Sequence, residues 1–122
     1  MRMARLGELE RKVMDVLWAS YPSELTGRDV DADLPGYAYT TILTILDRLE
    51  HKGLVGRVRT DRAHRYAALA PRDSYVADLM HEALSATSDR DAALARFAAT
   101  VNQKEARVLR AALDTTIADG KR

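Results

Sequence analysis

The hydrophobic residues of this chain recur mostly at the three- and four-residue spacing of amphipathic α-helices. The clearest stripe follows Ala38, where apolar side chains line up at about 100° per residue. Its members are Ile42, Ile45, Leu46 and Leu49. Gly53 is placed to end the helix. The pattern therefore predicts a helix from Ala38 to Lys52 that turns one face towards a protein core.

The opposite face of this predicted helix carries mostly short polar side chains. In the DNA major groove, threonine can bond either type of base or touch a thymine methyl group, and arginine can grip guanine. The residues that we expect to read bases are Thr40, Thr41, Leu43, Thr44, Asp47 and Arg48. An ordinary solvated helix face would show the same pattern, so this helix alone does not decide between the two interpretations.

Two shorter patterns precede this helix. The first is an amphipathic helix that ends near Pro22, and its stripe consists of Leu6, Leu9, Val13, Val16 and Leu17. Trp18 lies off that stripe, and we expect it to pack against a second element. Thr26 followed by Asp29 predicts the start of a short helix, which Pro35-Gly36 closes. A short helix, a turn and a longer helix with a polar face predict a helix-turn-helix.

Two strands are predicted after the central helix, at residues 54–59 and 65–69, with a turn over 60–64. Strands that follow a helix-turn-helix form a wing. The segment from Arg48 to Arg65 contains six basic residues and two acidic ones, a local excess of four positive charges. Such side chains bind DNA phosphates and position the protein without reading sequence. The residues that we expect in this role are Lys52, Arg57, Arg59, Arg62 and Arg65.

The chain after Pro71 shows only helical patterns. Three short amphipathic helices are expected there, the last starting at Asn102 with Glu105. About 50 residues cannot easily bury three apolar faces within one lobe, so we expect a two-fold homodimer. The side chains expected at the dimer contact are Val76, Leu79, Met80, Leu94, Phe97, Val101, Leu109 and Leu113. The predicted domains are 1–70, a winged-helix DNA-binding domain, and 71–122, a helical dimerisation domain.

Composition narrows the possible functions. The chain has 122 residues, of which 47% are hydrophobic, enough for one domain or two small lobes. A formal net charge of +1 argues neither for nor against nucleic acid. The absence of cysteine excludes disulfides and cysteine-rich metal sites, and the three histidines are too far apart in sequence for a local ligand pair. With no phosphate loop or nucleophile signature, we expect no enzyme, cofactor or metal.

Targeting signals are also missing from the pattern. The N-terminus runs directly into a charged helix pattern, which does not fit a signal peptide, and no apolar run approaches the length that spans a bilayer. We therefore expect a cytoplasmic protein that does not insert into membranes.

Short motifs spread over most of the chain point to one family. They are Leu6-Gly7-Glu8-Leu9-Glu10, Val13-Met14, Leu17-Trp18, Thr41-Ile42 with Thr44, Arg48-Leu49 and Lys52-Gly53. Together they resemble the BlaI/MecI penicillinase repressors. The resemblance implies a mainly α protein with a small β wing, in which a winged helix-turn-helix DNA-binding domain precedes a C-terminal three-helix dimerisation domain.

The same resemblance implies a function. Such repressors sit as dimers on dyad operators with TACA and TGTA elements and block transcription of β-lactamase and related antibiotic-resistance genes. A membrane sensor with a metalloprotease domain, acting directly or through a downstream protease, triggers cleavage of the repressor in its C-terminal domain. The family is cut at an Asn-Phe bond, and the aligned pair here is Arg96-Phe97. Copper-responsive relatives carry C-terminal cysteines, which this chain lacks.

Site residues carry over position by position. Thr41, Thr44 and Arg48 match the reading-helix positions of the family. The sequence departs from the family at Thr40 and Leu43, where relatives carry basic residues. The base contacts of such relatives therefore do not carry over to this chain at these two positions.

Two other classes of function compete with a DNA-binding repressor. A winged helix can serve as a protein-protein interaction module, which a reading face made of exposed hydrophobic residues would favour. An enzyme would need a deep pocket with converging titratable groups. The predicted face is instead mostly threonine, aspartate and arginine, which favours DNA.

Overall fold

A computed structural model describes residues 6–120. Its helices are α1 (Glu8–Ser20), α2 (Gly27–Asp33), α3 (Tyr39–His51), α4 (Arg72–Ala83), α5 (Arg90–Ala98) and α6 (Gln103–Asp119), with a 3-10 turn at Leu84–Ala86. Its strands are β1 (Leu25–Thr26), β2 (Val55–Val58) and β3 (Arg65–Ala68). The predicted fold class, mainly α with a small β wing, is confirmed.

The chain divides into two compact units, with the boundary between Glu82 and Ala83. The boundary predicted from the sequence, at residue 70, placed all of α4 in the second unit. In the structure, Tyr75 of α4 is buried in the first unit's core and Leu79 packs against that core. Most of α4 therefore belongs to the first unit, because the side of this helix that carries Tyr75 and Leu79 packs against that unit's core.

One hydrophobic core holds the first unit together. It consists of Val13, Met14, Leu17, Trp18, Val30, Ile42, Ile45, Leu46, Leu49, Val55, Tyr66, Ala68 and Tyr75. These residues come from every helix and from the two longer strands of the unit, so each amphipathic stripe predicted for α1 and α3 meets the others at the centre. Burial of this apolar area is the main free-energy source for the fold.

Aromatic and charged side chains attach the start of α4 to α1. The ring centroids of Trp18 and Tyr75 lie 5.4 Å apart. Arg72 places its guanidinium 4.9 Å from the Trp18 ring centroid and donates a 2.8 Å hydrogen bond to Asp15 Oδ1. The prediction that Trp18 packs against a second element is therefore confirmed.

The helix-turn-helix is formed by α2 and α3. Thr26 Oγ1 accepts a 3.1 Å hydrogen bond from the Asp29 N–H, and Asp29 Oδ2 accepts one of 2.9 Å from the Thr26 N–H, as the spacing predicted. Gly27 lets α2 approach α3 closely, because a Cβ at this position would lie 2.8 Å from Leu43 Cδ2. Gly53, at φ +81, follows α3 as predicted.

The wing is a three-stranded antiparallel sheet in the order β1-β3-β2. Tyr66 of β3 pairs with Arg57 of β2 on one side and with Leu25 of β1 on the other. The sequence predicted β2 and β3 but missed β1, because a two-residue strand carries no periodicity and exists only through its partner 40 residues later.

The second unit contains the 3-10 turn, α5 and α6. Asn102 and Glu105 form the predicted capping pair at the start of α6, with hydrogen bonds of 2.8 and 3.0 Å. Val101, one of the side chains expected at the dimer contact, lies in the connection between α5 and α6, because α5 ends at Ala98. No residue of the second unit is buried in the part that the structure describes.

Candidate nucleic-acid interface

The exposed side of α3 is polar. Its buried side is anchored by Ile42, Leu46 and Leu49, each with 0% exposure. Five of the six residues predicted to read bases are exposed, and we call them the reading ridge; they are Thr40, Thr41, Thr44, Asp47 and Arg48. A rigidly packed helix thus presents threonine, aspartate and arginine side chains to the outside.

Leu43 does not belong to this ridge. Its side chain is half-buried and packs against the core, close to Gly27 of α2. The helix-turn-helix packing causes this, because α2 covers the side of α3 on which Leu43 lies. Leu43 therefore supports the α2–α3 contact in the structure, and its part in base reading stays a prediction.

Two hydrogen bonds shape the polar chemistry of the ridge. Thr44 Oγ1 donates to the Thr40 carbonyl oxygen at 3.0 Å, which leaves its lone pairs and methyl group facing outward. His51, which the sequence interpretation did not include, lies four residues after Asp47 and places Nδ1 2.9 Å from the Asp47 carbonyl oxygen. This backbone contact, with the Asp47 carboxylate nearby, raises the pKa of His51. Its spacing from Asp47 was the sequence signal that could have identified it.

The arginines of the wing differ in their surroundings. Arg59, Arg62 and Arg65 are exposed, as phosphate-binding side chains need to be. Arg57 is half-buried, and its Nε lies 3.3 Å from Glu50 Oε1 at the end of α3. Arg57 therefore links β2 to α3 in addition to any contact that it makes outside the protein.

Lys52 lies in a different environment from the one predicted. Its Nζ is 2.8 Å from both carboxylate oxygens of Glu10, whose side chain is 8% exposed. Burial raises the pKa of Glu10, but hydrogen bonds from Lys52 and from the Gly7 N–H outweigh burial and hold this pKa below its usual value. Lys52 therefore joins the end of α3 to the start of α1, and a phosphate contact would require breaking that pair.

A cleft of about 530 Å³ separates α3 from the wing. Its lining combines side chains from α2, α3 and the wing turn, and those that matter most below are Arg28, Tyr39, Asp47, Arg62 and His64. The guanidinium carbon of Arg28 lies 4.2 Å from the centroid of the Tyr39 ring. Arg28 was not among the predicted site residues, because an isolated arginine on a short helix gives no signal in the sequence.

The second unit exposes a large apolar surface, which we call the apolar face. It comprises Leu94 and Phe97 of α5 and Val108, Leu109, Leu113 and Ile117 of α6. On α4, Val76 and Met80 are also exposed, whereas Leu79 is half-buried against the first unit's core. Leu79 lies one turn after Tyr75 on the covered side of the helix, and its part in a dimer contact stays a prediction.

Within residues 6–120, no group of histidine, aspartate and glutamate side chains could hold a metal ion. Across the same described residues, no helix combines the length and the apolar character that a membrane span requires.

A helix-turn-helix, a small antiparallel wing and an exposed polar ridge define a winged-helix transcription regulator. The fold is similar to a mutant of MepR from Staphylococcus aureus bound to an oligodeoxyribonucleotide, with a TM-score of 0.51 and 17% identity over 95% of this chain and 80% of that one. It is also similar to hsRosR-S1 in a complex, with a TM-score of 0.51 and 22% identity over 85% of this chain and 95% of that one.

The penicillinase repressor family model matches residues 6–115. Proteins named transcriptional regulator BlaI, from two strains of Mycobacterium tuberculosis, are each 47% identical over 118 residues, covering 92% of this chain and 85% of the relative. The chain belongs to the penicillinase repressor family, and the resemblance stated from its motifs is confirmed. Because this is a family of transcriptional regulators, the chain is not an enzyme.

Proposed function

We propose that this repressor binds dyad operator DNA as a homodimer and controls β-lactamase-type genes. In this proposal the reading ridge of α3 enters the major groove, and Arg57, Arg59, Arg62 and Arg65 of the wing contact phosphates. The observation that carries it is the two-sided character of α3. On one side Ile42, Leu46 and Leu49 are completely buried, while the exposed side offers hydrogen-bonding groups and no large apolar side chain.

The chemistry of the ridge supports readout of base edges. Arg48 is exposed near the end of α3 and can donate two parallel hydrogen bonds to a guanine. Thr44 has its hydroxyl proton bound to Thr40, so it offers an acceptor and a methyl group, which suit an amino group or a thymine methyl. Asp47 accepts from a cytosine amino group and repels phosphates, which disfavours wrong docking.

The apolar face supports a dimer. Six large apolar side chains, each at least 38% exposed, lie on two helices of a unit that buries no residue in its described part. A second copy would cover this area, and a two-fold axis would fix the distance between two reading ridges. Two half-sites one helical turn apart, at about 34 to 36 Å, would then be read together.

The proposal includes release of the repressor from DNA by regulated proteolysis. The pair Arg96-Phe97 lies inside α5, which spans Arg90–Ala98. A protease needs an extended segment, so the helix must unwind locally before the bond is cut. Cleavage would separate the dimer contact from the first unit and reduce two-site binding to weak one-site binding. A sensor metalloprotease of the membrane, or a protease downstream of it, fits this role.

The test is binding of the purified protein to a dyad duplex that carries TACA and TGTA elements and to a scrambled duplex of equal length. We expect tighter binding to the dyad, with affinity falling steeply as salt is added because phosphate contacts release counterions. Arg48→Ala should weaken binding to the dyad by about 1 to 3 kcal/mol and have little effect on the scrambled duplex. Arg11→Ala, which removes an exposed arginine of α1, is the matched control.

Equal affinity for the two duplexes would argue against the proposal and for a protein-protein interaction module instead. If Arg48→Ala weakens both duplexes equally, Arg48 binds a phosphate and not a base. A dyad duplex that binds with the stoichiometry of one chain would contradict the homodimer.

A further inference from the structure

Arg28 of α2 is an exposed arginine outside the reading ridge and the wing. Its guanidinium stacks over the ring of Tyr39, the first residue of α3, with 4.2 Å between the guanidinium carbon and the ring centroid. Stacking on an aromatic face engages the plane of the guanidinium and leaves its in-plane N–H groups available as donors. Tyr39 therefore holds a group of hydrogen-bond donors in a defined place at the surface.

The position of Arg28 is at one end of the cleft between α3 and the wing. Tyr39, Leu43 and Asp47 follow one another at four-residue spacing and form the wall on the α3 side. The opposite wall is the wing turn at residues 60–64, which includes Arg62. The third side is the start of α2, where Gly27 keeps the floor low because it has no side chain.

The α2 end of the cleft favours an anion, because α2 contributes Gly27 and Arg28 to the lining and Arg28 is positively charged. Arg28, Arg57 and Arg62 line the cleft, against Asp47 and Asp61. Arg57 already pairs with Glu50. Arg28 on α2 and Arg62 on the wing turn are the other two arginines of the lining. The carboxylate of Asp47 belongs to the ridge side, so it would direct an anion away from the base-reading surface and towards the arginines.

The geometry of a DNA duplex decides which anion would lie there. If α3 occupies the major groove and the wing lies over the neighbouring minor groove, the sugar-phosphate strand between the two grooves must pass between α3 and the wing. The cleft occupies this position on the protein. A phosphodiester strand is therefore the anion that this placement favours.

We propose that the cleft between α3 and the wing seats the sugar-phosphate strand that separates the two grooves, and that Arg28, positioned by Tyr39, binds a phosphate there. This inference rests on the proposed function and adds a residue of α2 to the DNA-binding surface. Tyr39 acts through Arg28 as a positioning residue. Arg28 contributes affinity that does not depend on base sequence, in contrast to Arg48.

The experiment is a salt titration of binding to the dyad and scrambled duplexes with wild type, Arg28→Ala, Tyr39→Leu and the control Arg11→Ala. Each lost phosphate contact reduces the slope of log affinity against log salt by about 0.9. Between 50 and 200 mM salt, the affinity of Arg28→Ala should therefore fall about threefold less per subunit than that of wild type. Tyr39→Leu keeps the charge, so it should keep the wild-type slope and bind more weakly at every salt concentration.

The outcomes separate this inference from the proposed function. If wild type prefers the dyad but Arg28→Ala has the wild-type affinity and slope, the inference is wrong and the proposed function stands. Loss of affinity on the dyad only, with an unchanged slope, would make Arg28 a base-reading residue and would also overturn it. A reduced slope on both duplexes, with Arg11→Ala unchanged, supports it.

Loss of fold must be distinguished from loss of a contact. Arg28 is exposed, and the thermal unfolding of Arg28→Ala, followed by the fluorescence of Trp18, should match wild type. Arg28→Lys provides a second test, because lysine keeps the positive charge but lacks the planar donor group. It should restore the salt slope and only part of the affinity; a slope as low as that of Arg28→Ala would contradict a phosphate contact.

Discussion

The two units of this repressor use their hydrophobic residues in opposite ways. Within residues 6–120, all 13 buried hydrophobic residues belong to the first unit, and eight of its side chains are less than 2% exposed. In the second unit, side chains as large as Phe97 and Ile117 remain 45% and 67% exposed. The first unit therefore has its own source of stability, whereas the second exposes large apolar side chains that the proposed homodimer would cover.

The largest effect is expected from a charge placed on the apolar face. Leu113→Asp should convert a dimer into a monomer, because burying an unpaired carboxylate at a contact between copies is costly. Affinity for the dyad duplex should fall by about 100- to 10,000-fold as the second binding event loses its effective concentration. Sedimentation velocity and duplex titration measure the two changes.

The control for this change is Thr115→Asp, which adds the same charge on another side of α6. Thr115 is exposed, and its hydroxyl donates to the Ala111 carbonyl within its own helix. We expect this variant to sediment and bind as wild type does. If Leu113→Asp remained dimeric at micromolar concentration, the apolar face would not be the contact between copies.

The next effect tests the core of the first unit. Leu46→Ala should lower the free energy of unfolding by about 2 to 5 kcal/mol, because it leaves a cavity at a completely buried position of α3. Leu113→Ala removes the same atoms from a side chain that is 56% exposed. Urea denaturation followed by Trp18 fluorescence reports the first unit, because Trp18 is the single tryptophan of the chain.

If only the first unit is stable by itself, the two alanine variants should differ strongly in the free energy of unfolding that Trp18 reports. The Trp18 transition of Leu113→Ala should shift by less than about 1 kcal/mol. Equal shifts for Leu46→Ala and Leu113→Ala would mean that the two units unfold as one body. That result would contradict the proposal that the first unit is stable by itself while the second is stabilised by dimerisation.

A smaller effect is expected at the ion pair between α1 and α3. Lys52→Met leaves the carboxylate of Glu10 buried without its cation, and we expect a loss of about 1 to 3 kcal/mol in the free energy of unfolding. The estimate lies below that for a fully buried pair because the Lys52 side chain is 26% exposed. Chemical denaturation of Lys52→Met, of Glu10→Gln and of the double variant Glu10→Gln/Lys52→Met would isolate the coupling energy between the two side chains.

The matched control is the pair of Glu8 and Lys12, which is also on α1 but lies at the surface. Its atoms are 3.8 Å apart, and the Glu8 side chain is 87% exposed. Glu8→Gln should change the free energy of unfolding by less than about 0.5 kcal/mol. A loss as large as that for Lys52→Met would show that solvent exposure does not govern these pairs.

The smallest effect concerns pH. Because Lys52 and the Gly7 N–H hold the pKa of Glu10 below its ordinary value of 4.5, this group adds stability that is complete above pH 4.5. The contribution is lost as the pH falls through the lower pKa of the folded state. Glu10→Gln should therefore flatten the decrease in stability below pH 4.5, and urea midpoints measured between pH 7 and pH 3 would reveal it. An unchanged pH dependence in this variant would contradict the assignment.

Local patterns predicted most of the fold. The stripe of Ile42, Leu46 and Leu49 placed α3 within one residue of its observed ends, and the spacing of Thr26 and Asp29 located the start of α2. These features depend on residues within one or two helical turns of each other. Periodicity and capping read such short-range information directly from the chain.

The parts that the sequence did not predict depend on distant residues. The ion pair between Lys52 and Glu10 could not be predicted, because Glu10 lies 42 positions earlier; the phosphate contact expected of Lys52 stays a prediction. Leu79 was assigned to the dimer contact because it shares a helix with Val76 and Met80, yet the side of α4 that it occupies faces the first unit's core. Arg28 was missed because its significance comes from Tyr39 and the cleft.

The two-residue strand β1 joins the parts of the DNA-binding surface. Thr26 lies in β1 and also caps α2, while β1 pairs with β3 through Leu25 with Tyr66 and Thr26 with Arg65. Backbone hydrogen bonds between β1 and β3 thereby connect the helix-turn-helix to the base of the wing in a single preformed frame. Binding to a duplex then requires little further ordering of that frame. The conformational entropy that a loose wing would lose on binding is lost during folding instead, so it does not weaken the affinity for DNA.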